Sequence, residues 1–211
     1  MKKYLTEFIG TFFLVLTIGL TVMGGSPIAP LAIGAALMVM VYMGGHVSGG
    51  HYNPAVSLAA LLSRKLEPGQ FLPYLAAQLL GAMAASAGVF WILGSWFAAE
   101  PAPTATAIQA LLVEFLFTFA LCLVVLNVAT AKKTAGNSYY GLAIGFTIAA
   151  GAAAGGPVSG GAFNPAVGTG PILVRAIADH GSLAHLWLYL VGPFLGAVAA
   201  SAVFAIQETS D

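Results

Sequence analysis

The chain has 211 residues, of which 59% are hydrophobic and 7% are charged, and its mean hydropathy is +0.93. This composition lies far outside the range of soluble globular proteins and predicts an integral membrane protein. Seven basic residues balance seven acidic ones, which excludes the basic surface needed for nucleic-acid binding. The sequence also lacks a Ser/His/Asp set, a phosphate-binding loop and paired metal-ligand spacing. We therefore expect no enzyme activity, no cofactor and no metal.

Six apolar runs follow one another along the chain, each about as long as a membrane-spanning helix. They cover residues 4–23, 26–45, 71–94, 105–130, 139–154 and 186–206. Lipid offers no hydrogen bonds to the backbone, so a chain that spans the bilayer in such runs must be helical. The predicted fold class is therefore an all-α integral membrane protein that crosses the bilayer six times.

One string, Val-Ser-Gly-Gly-x-x-Asn-Pro-Ala-Val, occurs at 47–56 and again at 158–167. Asn followed by Pro is typical of a helix start, where the amide side chain caps the helix and Pro occupies its first turn. Each copy lies between two of the predicted spans. We therefore expect each copy to begin an additional helix.

These additional helices are too short to cross a membrane. A helix that begins at Pro54 meets Arg64, and one that begins at Pro165 meets Arg175 and Asp179, about ten residues on. Ten helical residues cover about 15 Å, half of a hydrocarbon core of about 30 Å. The two helices are therefore predicted to be re-entrant half-helices.

The basic residues indicate the orientation, because cytoplasmic loops of membrane proteins carry the excess of Lys and Arg. With six spans, one face carries nearly all of them: Lys2, Lys3, Arg64, Lys65, Lys132 and Lys133. Arg175 and the loop residue Glu100 fall on the other face. We predict a multi-pass protein of the cell membrane, plasma or inner, with both termini in the cytoplasm.

Shorter matches extend the duplication through the chain. Residues 31–34 match 142–145, Glu7-x-x-x-Thr11 matches Glu114-x-x-x-Thr118, and residues 80–86 match 195–201. Each half then holds three spans and a half-helix, and because three is odd the second half enters from the opposite side. The sequence predicts one channel domain, 1–211, made of inverted repeats at about 1–100 and 104–211. Inverted repeats with broken helices are typical of transport proteins.

With these two Asn-Pro-Ala strings and repeated halves, the chain resembles the aquaporin or major intrinsic protein family over nearly its whole length. The resemblance implies six tilted helices and two half-helices around one pore per subunit, in a homotetramer within the lipid bilayer. It implies a passive channel for water and small neutral solutes. The implied pore centre comprises Asn53, Pro54, Ala55, Asn164, Pro165 and Ala166, with the two amides donating to the permeant molecule. The implied acceptor ladder comprises the carbonyls of Gly49, Gly50, His51, Gly160, Gly161 and Ala162.

The chain departs from this family at the outer selectivity filter. Water and glycerol channels usually have Arg directly after the second Asn-Pro-Ala, where this chain has Val167. The other three filter positions map onto Ile33, Ala152 and Gly161. Small, uncharged side chains predict a wide apolar filter that passes water together with glycerol, urea, ammonia, peroxide or undissociated metalloid acids. The alternative is that an apolar ring dewets and conducts poorly.

Ionisable residues inside a membrane are functional hypotheses by default, which makes Glu7 and Glu114 notable. The resemblance implies a structural role, in which these carboxylates accept hydrogen bonds from the backbone N–H groups of the half-helix loops. The alternative is a proton-coupled transporter for small solutes. A structural or scaffold membrane protein with little flux is a further alternative.

Several remaining residues have more than one interpretation. His51 is a packed loop residue, a proton-sensitive gate or a metal ligand, and packing is the interpretation we favour. Cys122 lies alone in an apolar span and is predicted to be a small buried side chain. Aromatic residues near span ends are typical interfacial anchors, and we expect this role for Trp91, Trp96, Trp187 and Tyr189.

Overall fold

The computed structural model describes residues 1–208, and every regular element within them is helical. Six helices are long and apolar enough to cross a membrane. They are α1 (Lys2–Met23), α2 (Ala29–Ser48), α4 (Pro68–Leu93), α5 (Ala107–Val125, continued by a π-helical turn at Leu126–Thr130), α6 (Tyr140–Ser159) and α8 (Leu188–Glu208). The two shorter helices are α3 (Pro54–Leu62) and α7 (Pro165–Asp179). The predicted fold class is confirmed, while residues 209–211 of the second predicted repeat lie outside the described residues.

Two helices run further than the sequence predicts. We expected spans that end at 45 and 154, whereas α2 ends at Ser48 and α6 continues through Pro157 to Ser159. The next residues, Gly49 and Gly160, adopt left-handed φ angles of +92° and +86°. A left-handed glycine directly after the last turn is a common way to end a helix. The repeated Ser-Gly-Gly string therefore sets both helix ends.

The re-entrant helices differ in length. Helix α3 has nine residues and α7 has 15, so Arg175 lies inside α7 and the helix ends only at Asp179. At 1.5 Å per residue α7 covers about 22 Å, still less than the hydrocarbon thickness of about 30 Å. Both remain half-helices in the predicted sense.

The long helices pack in pairs, α1 with α4, α5 with α8 and α2 with α6. Each half-helix packs against the last long helix of the other half, α3 against α8 and α7 against α4. Helices α2 and α6 meet at two glycines. A Cβ added to Gly34 would lie 2.5 Å from the carbonyl oxygen of Gly145, and a Cβ added to Gly145 would lie 2.5 Å from that of Gly34. This close approach requires glycine at both positions.

The outside of the bundle carries large apolar side chains. Trp91 is 88% exposed and Ile108 is 78% exposed, and comparable side chains occur on every long helix. Such a surface suits lipid rather than water. The chain is therefore a multi-pass membrane protein, and its half-helices lie in the interior where the candidate site is found.

Candidate pore between the half-helices

Each half-helix is capped by the asparagine that precedes its proline. The Asn53 Oδ1 accepts from the backbone N–H of Ala55 at 2.8 Å. The Asn164 Oδ1 accepts from the N–H groups of Ala166 at 2.9 Å and Val167 at 3.4 Å. Both caps are extended and both prolines occupy the first helical position, which confirms the predicted helix starts.

The same two side chains join the half-helices tip to tip. The Asn53 Nδ2 donates to the carbonyl oxygen of Phe163 at 2.9 Å, and the Asn164 Nδ2 donates to that of Tyr52 at 2.8 Å. Each side chain is 3% exposed. A side-chain amide has two hydrogens, so each Nδ2 keeps one hydrogen for another partner. The tips therefore abut, and each asparagine still has a donor to offer.

The loops that lead into the half-helices hold an aromatic residue in an unusual backbone conformation. Tyr52 and Phe163 have φ angles of +48° and +49°, a region that bulky residues rarely adopt. The backbone N–H of Tyr52 donates to Glu7 Oε2 at 2.7 Å, and that of Phe163 donates to Glu114 Oε2 at 2.7 Å. Hydrogen bonds to a carboxylate are among the strong ones, and they stabilise this conformation.

Both carboxylates accept further hydrogen bonds and are fully buried. The Glu7 carboxylate accepts from four groups: Ser48 Oγ, the N–H groups of His51 and Tyr52, and Gln78 Nε2. The Glu114 carboxylate accepts from three groups: Ser159 Oγ and the N–H groups of Ala162 and Phe163. Neither residue lines either of the two cavities described below. These contacts favour the structural interpretation of the acids over the proton-carrier interpretation.

A narrow cavity of about 20 Å³ passes beside the abutting tips. A buried water needs roughly 10–15 Å³, so the cavity has room for about one water-sized molecule, and two cannot lie side by side in it. Four long helices, both half-helices and both loops line it: Leu14, Ile18, Ile33, Leu37, Gly50, His51, Asn53, Val56, Leu121, Val125, Ile144, Ile148, Gly161, Ala162, Asn164 and Val167.

These sixteen lining residues form eight pairs related by the sequence duplication. Two pairs match at an offset of 107, Leu14 with Leu121 and Ile18 with Val125. Six match at the offset of 111: Ile33 with Ile144, Leu37 with Ile148, Gly50 with Gly161, His51 with Ala162, Asn53 with Asn164, and Val56 with Val167. Both halves therefore contribute equally to the cavity. We did not predict Leu14, Leu37 and their repeat-related partners from the sequence. Once the first member of a pair is known, the repeat offset gives the second.

The cavity has one polar wall and one apolar wall. Both asparagines and the residues of the two loops form the polar wall, while aliphatic side chains of the surrounding helices form the rest. A molecule in single file loses most of its contacts with bulk water, and buried polar groups need replacement partners. The polar wall can supply these along one side of the path.

A much larger, open cavity of about 870 Å³ adjoins this narrow part. Its lining includes the basic residues Lys3, Arg64 and Lys65, which we assign to the cytoplasmic face. His51 and Val125 line both cavities. We call the larger cavity the vestibule, and His51 lies where it meets the narrow cavity.

The predicted filter and ladder residues are distributed unevenly. Ile33, Gly161 and Val167 line the narrow cavity, whereas Ala152 on α6 is half-buried and does not. Of the ladder, Gly50, His51, Gly161 and Ala162 line the narrow cavity, and Gly49 lines the vestibule. Gly160 packs instead against the backbone of Glu100. The roles of these residues stay predictions.

One predicted anchor is wrong. Tyr189 is fully buried, and its hydroxyl donates to the carbonyl oxygen of Ser159 at 2.6 Å. The Tyr74 hydroxyl likewise donates to the carbonyl oxygen of Ser48 at 2.7 Å. Each tyrosine therefore pairs with the last carbonyl of the helix that leads into a half-helix loop. Trp91 and Trp187 are exposed, as an anchor requires, while Trp96 is half-buried and stacks on Phe90.

Other candidate groups lie apart from the cavity. The outer loop is held by an ion pair between Arg175 and Glu100 at 2.9 Å, in agreement with their assignment to one face. Cys122 is buried and free. No cluster of three potential metal ligands occurs among the described residues.

A bundle of six membrane-spanning helices, with two half-helices meeting beside a narrow cavity, defines a membrane channel. The profile of the major intrinsic protein family matches residues 1–204. The chain is similar to aquaporin NIP1-1 from Zea mays, with 39% identity over 95% of this chain and 73% of the relative. It is 35% identical to the glycerol uptake facilitator protein-like 6 of Lactiplantibacillus plantarum over the full length of both chains. The chain belongs to the major intrinsic protein family.

The fold is likewise similar to a solved structure. The X-ray structure of the aquaglyceroporin from Plasmodium falciparum matches with a TM-score of 0.85 at 24% identity, over 96% of this chain and 94% of that chain. Nodulin-26 from Glycine max is a further relative, 36% identical over this whole chain and 79% of its own length. The solved structure shows the same fold, and the family profile and sequence relatives show the family.

Proposed function

We propose that this protein is a passive channel for water together with small uncharged solutes such as glycerol, urea, ammonia, peroxide or undissociated metalloid acids. The observation that carries the proposal is the single-file cavity with one polar wall, in which Asn53 and Asn164 each retain a free amide hydrogen. Relatives named as an aquaporin and as a glycerol uptake facilitator-like protein support the solute class.

The lining of the narrow cavity supports a broad solute range. Val167 stands where the family usually has Arg, and no described Lys or Arg lines the narrow cavity. An arginine would add five donors and a positive charge to the wall. Its replacement by an aliphatic side chain favours solutes less polar than water. We propose as the filter Ile33, Gly161 and Val167, which line the narrow cavity, and Ala152, which lies outside it.

Ions are opposed at the centre of the path. The N-terminal ends of α3 and α7 meet at the paired asparagines, and each helix end carries about +0.5 elementary charge. Two such ends raise the energy of a cation there, whereas a neutral molecule is unaffected. We therefore propose that protons and metal cations are impeded even without the filter arginine.

The two halves are proposed to be inverted repeats, in a homotetramer of the cell membrane with both termini in the cytoplasm. Reciprocal contacts between the asparagine tips and between Gly34 and Gly145 support a two-fold relation between the halves. Three basic residues of the vestibule support the orientation, because Lys and Arg favour the cytoplasmic side. The exposed apolar faces suit both lipid and neighbouring subunits.

Stopped-flow light scattering of proteoliposomes tests the proposed function. Water, glycerol, urea and ammonia are applied in turn, and we expect each permeability to exceed that of protein-free liposomes. A proton gradient should leave the urea rate unchanged and the rate should not saturate, which separates a channel from a coupled transporter. Fluxes equal to those of empty liposomes, from protein that still migrates as a tetramer, would favour a scaffold or a dewetted pore.

A further inference from the structure

The narrow cavity is symmetric except at one pair. Seven of the eight repeat-related pairs join residues of the same chemical kind, whereas His51 pairs with Ala162. The positions behind these two residues differ in the same way. Ser57 matches Gly168 at the offset of 111, and Gln78 matches Pro193 at the offset of 115 that relates residues 80–86 to 195–201.

We call His51, Ser57 and Gln78 the polar layer. The His51 Nδ1 lies 3.1 Å from the Ser57 Oγ, and the Gln78 Nε2 donates to the same oxygen at 3.0 Å. The Gln78 Nε2 also donates to Glu7 Oε2 at 2.8 Å, which fixes the orientation of the Gln78 amide because a carboxylate only accepts. The polar layer therefore links the His51 imidazole, which lines the pore, to the buried Glu7 carboxylate through hydrogen bonds.

The hydroxyl of Ser57 determines which nitrogen of His51 carries the hydrogen. Its oxygen lies 3.1 Å from the carbonyl oxygen of Asn53 as well. A hydroxyl has one hydrogen and two acceptor positions. If Ser57 donates to Asn53, it accepts from Gln78 and from an Nδ1–H of His51, and all three contacts are hydrogen bonds. If Ser57 donated to His51 instead, one of the three would be lost.

The other ring nitrogen, Nε2, lies beside Gly49, at the residue where the vestibule meets the narrow cavity. A Cβ added to Gly49 would lie 3.0 Å from the His51 Nε2, so this edge of the ring covers Gly49, which lines the vestibule. Within residues 1–208 Nε2 has no hydrogen-bond partner, and the ring contacts Tyr74 at a centroid distance of 5.3 Å. Gly49 must be glycine at this close approach, and its φ of +92° requires the same.

We propose that His51 is a specificity-determining residue, whose neutral ring is held as the Nδ1–H tautomer by the polar layer. Nε2 then accepts a hydrogen bond from a solute that passes from the vestibule into the narrow cavity. Ser57 and Gln78 are positioning residues that act through His51. Because Ala162 stands at the matching position, the second half offers no such acceptor. This inference rests on the proposed function, since it assumes that solute passes His51.

The tautomer is tested by NMR of the full-length protein in liposomes with isotope-labelled histidine nitrogens. The chain has four histidines, and the signal lost in His51→Ala assigns the resonance. We expect an unprotonated Nε2 in the wild type. We expect a protonated Nε2 in Ser57→Ala, because the Nδ1 hydrogen loses its acceptor, and the wild-type signal in Ser57→Thr, which keeps the hydroxyl.

The consequence for transport is tested with water and urea on the same variants. Water donates and accepts equally, whereas urea has more N–H donors than acceptor positions and so depends more on acceptors in the channel. We expect Ser57→Ala to lower the urea permeability about fivefold relative to water, the factor that one neutral hydrogen bond contributes. Ser57→Thr should restore it. The matched control is Ser201→Ala, which removes another buried hydroxyl, one that donates to the carbonyl oxygens of Ala59 and Ala197 where α8 contacts α3, and not to the polar layer.

Two results would overturn the inference: a protonated Nε2 in the wild type, or a urea-to-water ratio in Ser57→Ala equal to that of the wild type. If Ser57→Ala does not fold, the wild-type spectrum alone decides. Failure of the proposed function gives a different result, namely no urea or water flux in the wild type, and the NMR result is independent of that flux.

Discussion

The loop before α3 and the loop before α7 share their backbone path and differ in the side chains behind it. Both have a left-handed Gly-Gly pair and an aromatic residue with positive φ, and both end in a capping asparagine. The first loop is accompanied by the polar layer, whereas the matching positions of the second half hold Ala162, Gly168 and Pro193.

This comparison separates two kinds of requirement. Features present in both halves hold the re-entrant loops in place, since buried N–H groups must be paired wherever an irregular backbone lies inside a membrane protein. The polar layer is present in one half only, although the other loop keeps the same path without it. The polar layer is therefore not needed to form a loop of this shape. Its position beside the solute path indicates a role in transport instead.

Removing the buried acids should have the largest effect on stability, because it removes contacts that both loops share. Glu7→Ala removes an acceptor from four donors and Glu114→Ala removes one from three. Each unpaired buried group costs about 1–3 kcal/mol. We expect both variants to lose about 3 kcal/mol or more of unfolding free energy, with Glu7→Ala the worse.

Thermal unfolding in detergent, followed by size-exclusion chromatography, measures this loss. Glu67→Ala is the control, because Glu67 is exposed and its side chain makes no cap hydrogen bond. Acid variants as stable as this control would show that the carboxylates are not structural.

Removing the asparagines should give the next largest effect, and the effects should be equal. Asn53→Ala and Asn164→Ala each lose a helix cap and one reciprocal bond between the tips. A lost cap costs about 0.5–2 kcal/mol, and we expect about 2 kcal/mol for each variant by the same unfolding measurement. A marked inequality between the two would mean that the tips are not equivalent.

A charge in the filter should change which solutes pass, because Val167 has no such charge. Val167→Arg adds a cation and a long side chain to the narrow cavity. We expect glycerol and urea permeabilities to fall about tenfold, equivalent to roughly 1.4 kcal/mol of barrier, while water flux persists. Val167→Met is the control, because methionine has a long side chain that carries no charge. Unchanged glycerol and urea fluxes in Val167→Arg would refute the assignment of Val167 to the filter.

The outer ion pair should have the smallest effect. Arg175 and Glu100 are 37% and 58% exposed in their side chains, and exposed ion pairs contribute about 0–1 kcal/mol. We expect Arg175→Gln to change stability by less than 1 kcal/mol and to leave urea flux unchanged. A large loss of flux in this variant would assign the outer loop to the permeation path.

Much of the fold could be predicted because local chemistry determines it. Apolar length defined the six spans to within five residues at every end, and Asn-Pro defined the two half-helix starts. The largest extensions past a predicted end are three residues in α2 and five in α6. Helix α6 continues through Pro157, beyond its predicted end at 154. Proline is tolerated within a membrane helix because neighbouring groups satisfy the freed carbonyl.

The site was less predictable, because it depends on contacts between distant segments. Tyr189 has the position of an interfacial anchor, and only the packing of α8 against the second loop reveals that its hydroxyl satisfies Ser159. The polar layer joins α1, α3 and α4, and no sequence spacing indicates that contact. The repeat offset shows only that Gln78 stands where the second half has Pro193.

The central claim is that α3 and α7 meet at their N-termini and present one amide hydrogen from each asparagine to a single-file path. A crystal structure of the protein at a resolution that reveals ordered water tests this most directly. We predict a file of waters in the narrow cavity, with one oxygen within hydrogen-bonding distance of the Nδ2 atoms of both Asn53 and Asn164. Separated tips, or a cavity empty of water beside both asparagines, would contradict it.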